Sequence, residues 1–154
     1  MMIVKGVIFP GVARGETYIN IMFDRIRGLI GFTPSPGTMN LKLEQKVDMS
    51  MHETKRVEHI LLHGKPRIDA RLAPVVLHVT KDGEHSYDCW AIRQEKGIYG
   101  KDVLEIIAKD NLRQKFGLQD GDTVGVEFKH TGKQKRSIIE RGRSVLYPEG
   151  RVMR

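Results

Sequence analysis

At 154 residues, 40% of them hydrophobic, with a mean hydropathy of -0.36, the chain suits one domain around one core and has no apolar run near the roughly 18 residues a membrane helix needs. Cys89 is the only cysteine, which excludes an intrachain disulfide and a multi-thiolate zinc site. Lys5 breaks the apolar opening Met1 to Pro10 too early for a secretory signal, so a cytoplasmic location is expected.

The net charge of +7 is uneven: residues 129–154 hold eight Lys/Arg against Glu140 and Glu149, a net +6, and leave 18 basic and 17 acidic residues in the body. The division expected is a near-neutral domain over 1–128 and a basic extension over 129–154. That extension is either a solvated terminus or a contact for an anionic partner.

In chain order, Met2 to Phe9 reads as a strand rich in β-branched residues, Gly11 to Gly15 as a loop, and Thr17 to Met22 as a second strand. Phe23, Ile26 and Leu29 or Ile30 share one side of a short helix that ends near Gly28 or Gly31. Gly31 to Thr38 crowds Pro34, Pro36 and Gly37 into a built turn, after which Met39-Asn40-Leu41-Lys42-Leu43 alternates as a half-buried strand with Met39, Leu41 and Leu43 inward. Further strands are expected over Val57 to Leu62, Arg67 to Leu72, Val75 to Thr80 and Tyr87 to Ile92, with Asp82-Gly83 in a hairpin turn between the last two. Asp102 to Phe116 carries apolar residues at helical spacing and is expected to form two short helices divided at Asp110-Asn111, one of these two serving as a cap. Gly117 to Asp122 then turns into a last strand, Thr123 to Phe128. The sum is a mainly β fold with short helices, closer to a barrel than to alternating βαβ units.

Three segments carry candidate chemistry. Gly11-Val12-Ala13-Arg14-Gly15 is either a plain turn or a nest of backbone N–H groups for an anion, with Arg14 as a bidentate phosphate donor. Thr38 and Asn40, two apart leaving a turn, project to one side, where their oxygens either hold a hard cation or a phosphate or satisfy backbone groups at a strand entrance. Glu105 lies in the apolar run Val103 to Ala108, where a carboxylate is either functional or rotated to water. Neither GxxxxGK[ST] nor a helix-opening GxGxxG occurs, so the common nucleotide folds are not supported.

Taken in order, GVARGETY (Gly11 to Tyr18), LIGFTPSPGTMNLKL (Leu29 to Leu43) and YGKDVLEIIAKDNLRQKFGLQDGDTV (Tyr99 to Val124) resemble the archaeal CTP-dependent riboflavin kinase family, a single-domain cradle-loop barrel. The resemblance spans about Ile3 to Phe128. It implies that Gly11, Val12, Ala13, Arg14, Gly15 and Glu16 wrap the CTP phosphates, that Asp110, Asn111, Leu112 and Arg113 recognise the nucleotide, and that Thr38 and Asn40 are Mg2+ ligands. It also implies that riboflavin is the acceptor, met by Gly97, Tyr99 and Glu105, with Glu105 orienting or deprotonating its primary hydroxyl. Ala13 and Arg14 stand where the family loop has a glycine and an acid, and Gly97 stands where it has a flavin-contacting threonine. Two other expectations stay open beside riboflavin phosphorylation: a CTP-dependent kinase of this fold with a different hydroxyl-bearing acceptor, and a non-catalytic nucleic-acid-binding module using the basic extension.

Overall fold

The computed structural model describes residues 2–11, 22–60, 64, 66–96 and 99–131. The elements are β1 (Met2–Phe9), α1 (Phe23–Ile30), β2 (Met39–Leu43), β3 (Lys55–Ile60), β4 (Pro66–Val79), β5 (His85–Gln94), β6 (Val103–Ile107), α2 (Leu112–Phe116) and β7 (Thr123–Phe128). A 3-10 turn at Met49–Met51, which the sequence reading did not foresee, is capped by the Asp48 carboxylate accepting from the Ser50 N–H.

Antiparallel pairing runs β1–β2–β6–β5–β4–β7 and returns from β7 to β1, closing a six-stranded barrel, with β3 added outside on the first half of β4. Closure removes the open edges of the six barrel strands, which a flat sheet would present for aggregation. Alternation fills the interior: Val4 and Ile8, Met39, Leu41 and Leu43, Val75 and Leu77, Cys89 and Ala91, Leu104 and Ile106, and Val126 and Phe128 point inward and are buried together. On the outside, α1 lays Ile26 and Ile30 against Val57, Ala70, Leu72, Ile92 and Ile107. It ends where Gly31 takes a left-handed φ of 84° and returns its N–H to the Arg27 carbonyl.

Two sequence expectations are corrected. Residues 103–107 form a strand, not a helix: all five are buried, because Leu104 and Ile106 face the barrel interior while the opposite face is covered too. A strand buried on both faces loses the period-2 signal, and its apolar run reads as helix. The second half of the expectation holds, since α2 starts after Asn111, whose side chain accepts from the Gln114 N–H at 3.1 Å. Likewise, the two strands expected either side of Pro74 are one continuous β4. Pro74 sits where β4 changes partner from β3 to β7, and its carbonyl accepts from Lys129 N at 3.2 Å. A residue's N and O share one strand edge, so the missing N–H falls at the end of the β4–β7 ladder, where it costs only a terminal bond.

The Asp82-Gly83 turn forms with φ of 60° and 103°. The strand expected over Thr17 to Met22 lies outside the described residues except for Met22, which sits in the turn before α1. The extension beyond Thr131 also lies outside them. Among the described residues no helix is long and apolar enough to cross a membrane.

Candidate active site

Three neighbouring strands carry the first half of the site. The register sets Phe9 of β1 opposite Asn40 of β2, and Asn40 opposite Glu105 of β6. Asn40 and Glu105 lie on the outward faces of their strands, yet they are only 9% and 7% exposed. Thr38, just ahead of β2 after the left-handed Gly37, donates its hydroxyl to Glu105 Oε1 at 3.0 Å, and Asn40 Oδ1 lies 3.4 Å from that same Thr38 hydroxyl oxygen. One hydroxyl has one proton, and the shorter contact takes it. Burial raises the Glu105 carboxyl above the ordinary glutamate range, and the Thr38 hydrogen bond offsets part of that rise.

Gly11 closes this corner. A Cβ built on it would overlap the Asn40 amide, 2.9 Å from Cγ, and come within 3.2 Å of the Tyr99 hydroxyl. Only a glycine lets the backbone approach so closely. Tyr99 also meets Phe9 edge to face, the ring centroids 5.7 Å apart. Arg93 holds the stretch after Tyr99 by donating to the carbonyls of Val47, Lys101 (3.0 Å) and Val103 (2.8 Å), which fixes the entry of β6 and so the height of Glu105.

The second half is an open cleft of about 100 Å³ between the Ser35–Met39 turn and the segment from Ile106 to Arg113. The Ser35 N–H bonds the Ala108 carbonyl at 2.7 Å and ties the two walls together. Asp110, Asn111, Leu112 and Arg113 line the wall opposite Ser35 to Thr38.

A family model described as CTP-dep_RFKase, Domain of unknown function DUF120, matches residues 8–128, which takes in both halves of this site. The chain belongs to the CTP-dependent riboflavin kinase family. It is similar to the riboflavin kinase of Aeropyrum pernix, 31% identical over 120 residues that make up 78% of this chain and 90% of that protein. It is 28% identical to the riboflavin kinase of Methanococcus vannielii over 127 residues, covering 81% of this chain and 96% of that protein. With the riboflavin kinase of Methanospirillum hungatei it shares 27% identity over 133 residues, and there the chain spans only 57% of the relative's length.

Against the expectations for a member of this phosphotransferase family, the structure brings together Gly11, Thr38, Asn40, Tyr99 and Glu105, and gathers Asp110 to Arg113 on the cleft beside them. Val12, Ala13, Arg14, Gly15, Glu16 and Gly97 lie outside the described residues. The sequence reading missed Phe9, Arg93 and Tyr87. Tyr87 Oη donates to Asp110 Oδ2 at 2.6 Å and accepts from the Asp110 N–H at 3.3 Å. Alternation with inward-facing Cys89 and Ala91 would have put Tyr87 on the barrel's inner side, but its reach to Asp110 depends on register.

For a divalent cation the fit rests on donor type. Thr38 and Asn40 offer neutral oxygens 3.4 Å apart, beside the Glu105 carboxylate. Among the described residues no group of three or more His, Cys, Asp or Glu is placed to hold a metal alone. An oxygen-only, sparse set suits Mg2+, which keeps water and phosphate oxygens in most of its shell, and does not suit zinc.

Proposed function

We propose that the protein is a Mg2+-dependent kinase that transfers the terminal phosphate of CTP to the 5′-hydroxyl of riboflavin, giving FMN and CDP. The observation that carries this reading is Glu105: a buried carboxylate with a raised pKa, hydrogen-bonded to Thr38 and set against Asn40, at the head of a cleft walled by the Asp110–Arg113 segment. Phosphoryl transfer asks a protein chiefly for positioning and charge stabilisation, and this arrangement supplies both without a covalent nucleophile.

In this reading Asp110 to Arg113 bind the nucleotide and Gly11 to Glu16 fold over its phosphates, while Thr38 and Asn40 hold the cation. Bound Mg2+ supplies neutralisation of phosphate charge. Phe9 and Tyr99 form an aromatic wall for a planar ring system, and Tyr99 with Gly97 and Glu105 receives the acceptor. Glu105 orients the primary hydroxyl and takes its proton as that oxygen bonds to the terminal phosphorus and the bond to the bridging oxygen breaks. A carboxylate raised toward neutrality by burial is better matched to this transfer than an ordinary exposed one. The enzyme works in the cytoplasm, with residues 1–128 as its catalytic domain and 129–154 as an appendage.

A thermal-shift comparison of CTP, UTP, ATP, GTP, riboflavin and FMN, each with Mg2+, tests the reading, since a ligand that binds only the folded state raises the melting temperature by linkage. CTP and riboflavin or FMN are expected to stabilise; a folded protein that responds to neither would refute it. Gly97 in place of a flavin-contacting threonine favours one rival, the same chemistry on another hydroxyl-bearing acceptor. That rival wins if CTP stabilises and is consumed with a metabolite mixture but not with riboflavin.

A further inference from the structure

Tyr87 stands on β5, inside the end of the barrel, and the phosphoryl-transfer reading gives it no role. Its ring packs edge to face on Phe116 of α2, with centroids 5.8 Å apart, and the Lys115 ammonium lies 5.8 Å from the ring centre. Its hydroxyl makes two bonds to one residue, donating to Asp110 Oδ2 at 2.6 Å and accepting from Asp110 N at 3.3 Å. Lys115 lies 3.9 Å from the same Oδ2. Both side-chain contacts of Asp110 therefore fall on Oδ2, and Oδ1 has no partner among the described residues, although Asp110 lines the cleft.

We propose that Tyr87 is a positioning residue for base selection: it holds the Asp110 carboxylate so that Oδ1 accepts from the exocyclic amino group of cytosine, favouring CTP over UTP. The proposal rests on the nucleotide reading of the cleft given above.

The chemistry is one-sided. An ionised carboxylate only accepts hydrogen bonds, so it pairs with the N4 amino group of cytosine and repels the O4 oxygen that uracil presents at the same place. A carboxylate that the bound base covers and that faces O4 is left unpaired, so its rejection of uracil adds to the loss of the contact. A carboxylate on a loop delivers this only if its rotamer is held, and the double contact from Tyr87 does so from a barrel strand. Burial, with the Asp110 carboxylate adding to it, pushes the Tyr87 hydroxyl up to about 12, so it remains a proton donor throughout the working range.

Tyr87→Phe keeps the ring on Phe116 and removes the hydroxyl. CTP and UTP binding, measured by titration calorimetry without acceptor, should show the CTP-to-UTP affinity ratio shrinking roughly three- to tenfold, the size expected for one charge-assisted hydrogen bond acting indirectly. In turnover the loss should fall on KM for CTP with kcat nearly unchanged. Asp110→Asn, at a side chain 49% exposed and so tolerant of change, presents an amide donor to O4 and should raise UTP affinity relative to CTP; it reads the same claim if Tyr87→Phe fails to fold. An unchanged ratio in folded Tyr87→Phe, or in Asp110→Asn, overturns the proposal and leaves the kinase reading intact. A wild-type protein that binds neither nucleotide overturns both.

Discussion

Gly11→Ala adds one methyl group at the tightest point of the site. The new Cβ would lie 2.9 Å from Asn40 Cγ and 3.2 Å from the Tyr99 hydroxyl, where carbon contacts normally settle at about 3.5–4.0 Å. Asn40 Nδ2 lies closer still and is overlapped outright, so the amide must retreat by more than about 1 Å, and it cannot take its strand along, because β2 is laddered to β1 and β6 on its two sides. Overpacking of this kind costs about 1–3 kcal/mol, or a fall of about 3–10 °C in melting temperature for a domain of this size. The catalytic cost is larger, since a displacement near 1 Å in a positioning group lowers turnover by about 10²-fold. The assay is FMN formation with saturating CTP and riboflavin, beside a melting curve. Gly28→Ala is the control: its Cβ meets nothing within 4 Å, it sits exposed in α1, and Ala there gains up to about 1 kcal/mol with activity unchanged. Wild-type turnover in Gly11→Ala would refute the claim that Gly11 presses on the Asn40 amide.

Glu105→Gln should lower turnover by about 10²–10⁴-fold without lowering the melting temperature at neutral pH. The sign follows from linkage: the folded protein holds the Glu105 proton more tightly than the unfolded chain does, so this group's contribution to stability is full below about 4.3 and lost as pH rises through the raised folded value. The glutamine variant should therefore melt at or above the wild type at pH 7 and lose that advantage at pH 4; a large destabilisation at pH 7 would contradict the burial argument. Cys89, buried in the barrel with its thiol pushed up to about 12, should resist thiol reagents until the protein unfolds, and rapid native labelling would count against barrel closure. A chain ending at Thr131 keeps β7, the Lys129 bond to Pro74 and the His130 carbonyl that contacts His52 Nδ1 at 2.8 Å. It should fold and turn over riboflavin as the full chain does, and lost kinase activity would give residues 132–154 a catalytic part.

Much of this was legible because the physics was local. β-branched content marked β1, alternation marked β2 and the Gly117–Asp122 turn marked the start of β7; the Pro36-Gly37 turn marked the place where Thr38 and Asn40 leave on one side; the Asp82-Gly83 turn and the Asn111 cap are backbone chemistry written in two residues. What stayed hidden is long-range. β6 was misread because a strand covered on both faces shows no alternation. Pro74 divided β4 on paper because nothing local reveals a strand exchanging partners. Thr38 meets Glu105 across 67 residues and Tyr87 meets Asp110 across 23, so both contacts exist only once the barrel closes. The family motifs named the individual residues; register is what turned Glu105 from a helical surface candidate into a buried carboxylate beside two oxygen donors.

The most direct test is product analysis with the purified full chain, riboflavin, Mg2+ and each of the four ribonucleoside triphosphates in turn. The account predicts that FMN and CDP form in equal amounts with CTP as the preferred donor, and that both vanish in Asn40→Ala. A folded protein that makes no FMN with any of the four nucleotides would contradict it.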